Sequence, residues 1–157
     1  MKIFSNGSSF AAGKYPKFLA DRLNGELTNI AEPGFSNRTI WRTIIEKNPK
    51  NYDLAIIQLT SKSRTEFHNI DRWMEISPQL THPRLEENKR RLWQFWYEQI
   101  YTDVYGDVEE NFAIEGISDY FAIHNTPCII HVLIQILYNT QYSEQSRRIV
   151  EPWGQQV

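Results

Sequence analysis

The fold is decided by the stretch Asp53-Leu54-Ala55-Ile56-Ile57-Gln58-Leu59-Thr60, an almost continuous apolar run of strand length. Such runs are typical of strands that are buried on both faces of a parallel sheet. Shorter strand patterns precede it near residues 2–6 and 26–31, and helical patterns near 15–24 and 37–47 separate the three. This alternation predicts an α/β fold with a parallel sheet and right-handed crossovers.

The second half of the chain predicts one long helical region and one more strand. Apolar residues recur at three- and four-residue spacing from Arg84 to about His124, and we expect a break near Gly106 or Gly116. A fourth strand is predicted over 128–136. The long connection at 61–83 is interpreted either as a lid beside a site or as a loop that covers a helix.

Small polar residues follow each of the first three predicted strands. They are Ser8 and Ser9, then Gly34 with Ser36 and Asn37, then the run Ser61-Lys62-Ser63-Arg64-Thr65-Glu66. Ligands of open parallel sheets bind outside the carboxyl ends of the strands, so these loops can converge on one site. The ordinary alternative is that the serines only turn the chain or cap a helix.

Three sequence blocks together resemble a known enzyme family. They are Gly7-Ser8-Ser9-Phe10, then Asn29-Ile30-Ala31-Glu32-Pro33-Gly34-Phe35-Ser36-Asn37, then Ile56-Ile57-Gln58-Leu59-Thr60-Ser61-Lys62-Ser63-Arg64-Thr65-Glu66. In this order they resemble the SGNH, or GDSL-type, hydrolases, and most of all the divergent branch met in tailed-phage genomes. The resemblance implies a three-layer α/β/α, flavodoxin-like parallel sheet of four strands in the order 2-1-3-4, shortened at its C-terminal end.

The resemblance also implies roles for individual residues. Ser9 would be the nucleophile, and the backbone N–H of Gly34 would donate to the oxyanion hole. The family's third block carries an asparagine after a glycine as a further oxyanion donor, whereas this chain has Thr60-Ser61-Lys62-Ser63. Asn37 or Ser61 would then replace that donor.

The general base is the main departure from the family pattern. The family places an Asp-x-x-His pair after its last strand, and this sequence has no such pair. A serine hydroxyl needs an adjacent base to react at neutral pH. His68 and His82 are the candidates, although each could be an ordinary surface histidine, and His131 is expected to be a strand residue.

Two classes of function follow, and the sequence leaves open whether the protein is an enzyme. The first is an esterase or acyl hydrolase. The second is an inactive SGNH-type scaffold that binds a small anionic or nucleotide-like ligand, or an accessory phage protein. Its ligand contacts would come from Ser8, Ser61, Arg64 and Glu66, and of these the Arg64 guanidinium in particular suits an anion. Arg38 is a weaker candidate for the same contact.

Composition limits the remaining possibilities. A chain of 157 residues with 41% hydrophobic and 23% charged residues is expected to form one domain over 1–137, followed by a tail at 138–157. A formal charge of −2 argues against nonspecific nucleic-acid binding. No Cys/His cluster has zinc spacing, so neither a metal nor another cofactor is expected.

Location and assembly are predicted from the same composition. The single cysteine, Cys128, fits a reducing compartment, and no signal peptide or membrane span is evident. We therefore expect a cytoplasmic protein, in the host cytoplasm if phage-encoded, that acts on a small ligand or ester. Strand-edge surface left uncovered by a short C-terminal part predicts a homo-oligomer.

Overall fold

The computed structural model describes residues 1–69, 71–78 and 87–132. The predicted tail at 138–157, the end of the fourth predicted strand and His82 lie outside these residues. The elements are β1 (Lys2–Gly7), α1 (Tyr15–Arg22), β2 (Glu26–Asn29), α2 (Asn37–Lys47), β3 (Leu54–Leu59), β4 (Thr65–Asn69), β5 (Arg72–Ile76), α3 (Glu87–Phe95), a π-helical turn (Trp96–Ile100), α4 (Asp103–Ile123) and β6 (Cys128–Val132).

Four strands form one parallel sheet in the order β2-β1-β3-β6. Because β6 is the fourth predicted strand, the predicted parallel sheet and its strand order are confirmed. The apolar run of β3 is explained by its position, since β3 is paired with β1 on one side and β6 on the other. Its last five residues are all buried.

Alternate residues of the central strands pack on different helices. Ile3 and Ile56 cluster with Ala20 of α1. The neighbouring strand positions belong to a second cluster with α2 and α4, which contains Phe4, Ala55, Ile57, Leu59, Ile40, Ile44, Ile117 and Phe121. The two-residue period of a strand thus separates the core into two clusters, one on each face of β1 and β3.

The connection at 61–83, predicted only as a long loop, contains an antiparallel hairpin formed by β4 and β5. These two strands could not be recognised in the sequence, because charged residues occupy positions that face another element instead of solvent. Glu66 is buried against α2, while Phe67 contacts the Trp96 ring with centroids 4.9 Å apart. Whether this segment acts as a lid stays a prediction.

The expected helix break near Gly106 or Gly116 is wrong, because the chain breaks at Tyr101 and Thr102. Thr102 caps α4, with its Oγ1 accepting a hydrogen bond from the Tyr105 N–H at 3.1 Å. The two glycines lie inside α4 and permit close packing. A Cβ on Gly106 would be 2.7 Å from the Tyr101 hydroxyl, and one on Gly116 would be 3.0 Å from the Trp41 ring.

Two further findings concern the residues that the structure describes. None of their helices is both long and apolar enough to cross a membrane. Cys128, in β6, is a free cysteine, and burial raises the pKa of its thiol to about 12. It is therefore protonated at neutral pH and is a poor nucleophile.

Candidate functional site

Three loops meet at the carboxyl ends of β1, β2 and β3, and we call them the strand-end rim: residues 8–14, 30–36 and 60–64. Two contacts join them. The Glu32 N–H of the second loop donates to the carbonyl of Gly7, directly before the first loop, at 3.2 Å. The Thr60 N–H of the third loop donates to Oδ1 of Asn37, directly after the second loop, at 2.7 Å. Parallel pairing therefore brings the three sequence blocks to one edge of the sheet.

The first loop of the rim is fixed from both sides at Ala11. Its N–H donates to Gln58 Oε1 at 3.3 Å, and its carbonyl accepts from Asn29 Nδ2 at 2.7 Å. α1 begins only at Tyr15, and its N-cap residue is Lys14. Neither serine of the loop therefore caps a helix, although both lie where the chain turns, with the Ala12 N–H donating to the Ser8 carbonyl at 2.9 Å.

The two serines have different surroundings. Ser8 is buried, and its Oγ accepts a hydrogen bond from Arg64 Nη1 at 3.1 Å. Ser9 is exposed. Within the described part of the chain its hydroxyl has no hydrogen-bond partner, so it is open to a substrate. Of the two, Ser9 is the accessible hydroxyl, and its role as nucleophile stays a prediction.

Gly34 has a backbone conformation that glycine adopts more readily than other residues. Its φ is +99°, a conformation that favours glycine, and the residue is exposed. Its N–H makes no hydrogen bond to any residue that the structure describes. That N–H is therefore available to an oxyanion.

The side-chain oxyanion donors are already engaged. Asn37 is buried, and besides accepting from Thr60 N–H its Nδ2 donates to the Thr60 carbonyl at 3.3 Å. The Ser61 and Ser63 hydroxyl oxygens are 2.8 Å apart. Asn37 thus joins the start of α2 to the end of β3, and a donor role for either Asn37 or Ser61 requires one of these bonds to be exchanged for a bond to substrate.

The structure does not bring His68 to Ser9. His68 is exposed on β4, and its ring makes an edge contact with Trp73 at a centroid distance of 4.9 Å. The Arg42 guanidinium in turn lies over the Trp73 ring, with its Cζ 4.4 Å from the ring centroid. These contacts are therefore on the α2 side of the hairpin. His68 as base stays a prediction, and His131 is a strand residue in β6 as expected.

The four ligand-binding candidates separate into two places. Ser8, Ser61 and Arg64 lie at the strand-end rim. Glu66, in contrast, is 3% exposed and faces α2, where it accepts hydrogen bonds from Arg42 Nη2 at 2.9 Å and from Thr39 Oγ1 at 2.7 Å. Its charge is already paired.

Glu75 is the cross-strand neighbour of Glu66, and both carboxylates contact the hydroxyl of Thr39. One hydroxyl proton cannot serve two carboxylates, and Glu75 Oε2 is buried without a hydrogen-bond partner. Burial above all, and then the charge of Glu66, raises the pKa of Glu75 above its ordinary 4.5, although hydrogen bonds from Thr39 and Ser36 oppose the rise. The folded protein therefore holds a proton on Glu75 more tightly than the unfolded chain does.

This predicts a pH dependence of stability. A raised folded pKa contributes stability that is complete below pH 4.5 and is lost as the pH rises through the folded value. We expect Glu75→Gln, which mimics the protonated acid, to lose less unfolding free energy than the native protein as the pH is raised from 4.5 towards neutral. Urea denaturation across this range measures the difference, and parallel profiles would contradict it.

Several residues that contact the rim or its flanking residues were not predicted from the sequence. Gln58 and Asn29 fix the serine loop, and Tyr97 of the π-helical turn donates from its hydroxyl to the Ser63 carbonyl at 2.6 Å. Glu110 lies 3.5 Å from Asn37 Nδ2, and its pKa is raised mainly by burial. Only Gln58 carried a signal, since it is the one polar residue inside an apolar strand.

A separate cleft of about 320 Å³ lies between α2, α4 and the hairpin. Its residues are Arg38, Trp41, Arg42, Glu66, Trp73, Glu109, Phe112 and Ala113. Both arginines are paired there, Arg38 with Glu109 at 3.3 Å and Arg42 with Glu66 at 2.9 Å, which leaves no free charge for a ligand. The strand-end rim, with its unpaired donors, is the better candidate. Over the described ranges, no three side chains of the metal-binding types cluster.

No protein-family model matches this chain, and no curated protein matches it in sequence. The resemblance to the SGNH hydrolases therefore depends on the three sequence blocks at the rim.

Proposed function

We propose that this chain is an SGNH-like esterase or acyl hydrolase in which Ser9 is the nucleophile. The observation that carries the proposal is the exposed Ser9 hydroxyl on a loop that Asn29 and Gln58 hold at the end of β1. A fixed loop keeps the nucleophile in one orientation, which lowers the entropic part of the barrier.

The proposed reaction proceeds in two steps. Ser9 Oγ bonds to the ester carbonyl carbon while its proton passes to a base, and the ester C–O bond breaks as the alcohol leaves with a proton. Water then cleaves the acyl–serine bond and releases the acid. The free N–H of Gly34 would donate to the negative oxygen of each tetrahedral intermediate, together with Asn37 or Ser61.

The base is the open part of the mechanism. His68 would have to move from its contact with Trp73 to reach Ser9, so a base from a second subunit is the alternative. The proposal accordingly includes a homo-oligomer. It also includes the three-layer, flavodoxin-like arrangement implied by the resemblance, and a cytoplasmic location of the protein.

A second candidate function is ligand binding without turnover. It is favoured by one observation, that within the described residues no acid or base contacts the Ser9 hydroxyl. On this alternative the rim holds a small anionic or nucleotide-like ligand and the serine stays unreactive.

Labelling with a fluorophosphonate probe tests the proposal. We expect the native protein to be labelled, Ser9→Ala to lose at least about nine-tenths of the labelling, and Ser8→Ala to keep most of it, because an activated serine is needed for the reaction. Ser8→Ala is the matched control, since it removes the adjacent hydroxyl. Loss of labelling in His68→Ala would support His68 as base.

Two results would count against the enzyme. Equal labelling of Ser9→Ala and native protein would exclude Ser9 as the nucleophile. A folded native protein that is not labelled at all would favour the binding candidate.

A further inference from the structure

Arg64 is a half-buried cation that forms no ion pair with an acidic side chain of the described residues. Its Nη1 donates to Ser8 Oγ at 3.1 Å, its Nε is buried with no hydrogen-bond partner, and no carboxylate of the described residues forms an ion pair with it. The comparably half-buried Arg42 is paired with both Glu46 and Glu66. Because removing a charge from water is costly unless it is paired, an Arg64 that none of these residues pairs indicates that an anion completes the site.

The position of Arg64 connects this charge to the candidate nucleophile. The backbone N–H of Arg64 donates to the Ser61 carbonyl at 3.0 Å, in the loop after β3. Its guanidinium contacts Ser8, the residue directly before Ser9. Tyr97 is a further neighbour of this loop, through its hydrogen bond to the Ser63 carbonyl. Burial raises the pKa of the Tyr97 hydroxyl, and the positive charge of Arg64 opposes that rise.

The π-helical turn contributes to this arrangement. Its wider backbone is marked by the Tyr101 N–H donating to the Trp96 carbonyl at 2.8 Å, five residues back, and it contains Tyr97. Turns of this kind occur often at functional sites. Here Tyr97 holds the Ser63 carbonyl and thereby the loop that carries Arg64.

We propose that the strand-end rim is selective for substrates that carry an oxyanion, a carboxylate or a phosphate, and that Arg64 is the residue that binds this group. The guanidinium fork matches either oxyanion and gives charge-assisted hydrogen bonds. The ester part of this inference rests on the proposed hydrolase function, whereas the anion-binding part does not.

Two esters with the same leaving group test the selectivity. Mono-4-nitrophenyl succinate carries a carboxylate, and 4-nitrophenyl pentanoate is a neutral ester of similar length. We expect the native protein to prefer the succinate by kcat/KM, and Arg64→Gln to lower that preference by about tenfold or more, as expected for a lost hydrogen bond to a charged group. Arg38→Gln is the matched control and should leave the preference unchanged, because Arg38 is paired with Glu109.

Binding to Ser9→Ala separates this inference from the hydrolase proposal. We expect succinate or inorganic phosphate to bind this variant in titration calorimetry, and Arg64→Gln in the same background to abolish the heat. Comparing the two anions distinguishes a carboxylate from a phosphate. Binding without any ester hydrolysis would support the anion site and contradict the enzyme.

The opposite outcome overturns the inference alone. If the esters are hydrolysed with no preference for charge and neither anion binds, Arg64 does not select the substrate while Ser9 remains the nucleophile. Arg64→Lys, which keeps the charge, guards against a folding defect. It should retain part of the preference if the charge matters, and circular dichroism should show all variants folded.

Discussion

Replacing Arg42 with methionine is expected to lower the free energy of unfolding by about 3 kcal/mol at neutral pH. Glu66, its partner, is 3% exposed, and Arg42 donates to it from Nε at 3.0 Å and from Nη2 at 2.9 Å. This pairing is also the main reason that the pKa of Arg42 is raised. Methionine keeps much of the side-chain volume but leaves a carboxylate buried without its cation. Urea denaturation followed by tryptophan fluorescence measures the loss.

Two further variants identify the cause. Arg38→Met removes an arginine from the same helix, but its side chain is 49% exposed, so we expect a change of at most about 1 kcal/mol. The double variant Arg42→Met with Glu66→Gln removes both charges and should recover most of the loss. A double variant as unstable as Arg42→Met alone would show that the arginine acts by packing instead of by pairing.

Gly7→Ala is expected to destabilise the protein by about 3 kcal/mol or more, which is a large part of the stability of a domain of this size. The φ of Gly7 is +155°, and a Cβ there would lie 2.6 Å from the Gln58 carbonyl oxygen and 2.8 Å from Ala11 Cβ. The backbones of β1 and β3 would have to separate where they hold the serine loop. Thermal or urea denaturation tests this.

Gly34→Ala is the matched control for Gly7→Ala. It also has a positive φ, +99°, but a Cβ there would meet nothing within 4 Å. We expect only the conformational cost, about 1 kcal/mol. Equal losses in the two variants would mean that the close approach of β1 and β3 at Gly7 has no energetic importance.

Much of the sheet could be predicted because its evidence is local. The apolar run of β3 and the helical spacing of α2 are visible in single stretches of sequence, and together they predicted the parallel sheet that the structure confirms. A helix cap was one of the roles that the sequence left open for the serines, and Ser36 has it, since its Oγ accepts from the Thr39 N–H at 3.2 Å. Each of these signals lies within a few residues of the element it specifies.

The features that were missed depend on contacts distant in sequence. The hairpin was not predicted because Glu66 appears solvent-facing until Arg42 and Thr39 are placed beside it. The break after α3 was misplaced because Gly106 and Gly116 serve close packing inside α4. Likewise, the contacts of Gln58 and Asn29 with Ala11 exist only once three strands are assembled.

The central claim is that Ser9 is the reactive hydroxyl of the strand-end rim. The most direct test is tandem mass spectrometry of the native protein after reaction with a fluorophosphonate and digestion with trypsin. The peptide from Ile3 to Lys14 contains Ser5, Ser8 and Ser9, and its fragment ions distinguish them. We predict the adduct on Ser9. An adduct on Ser8 or on a serine outside this peptide would contradict the account.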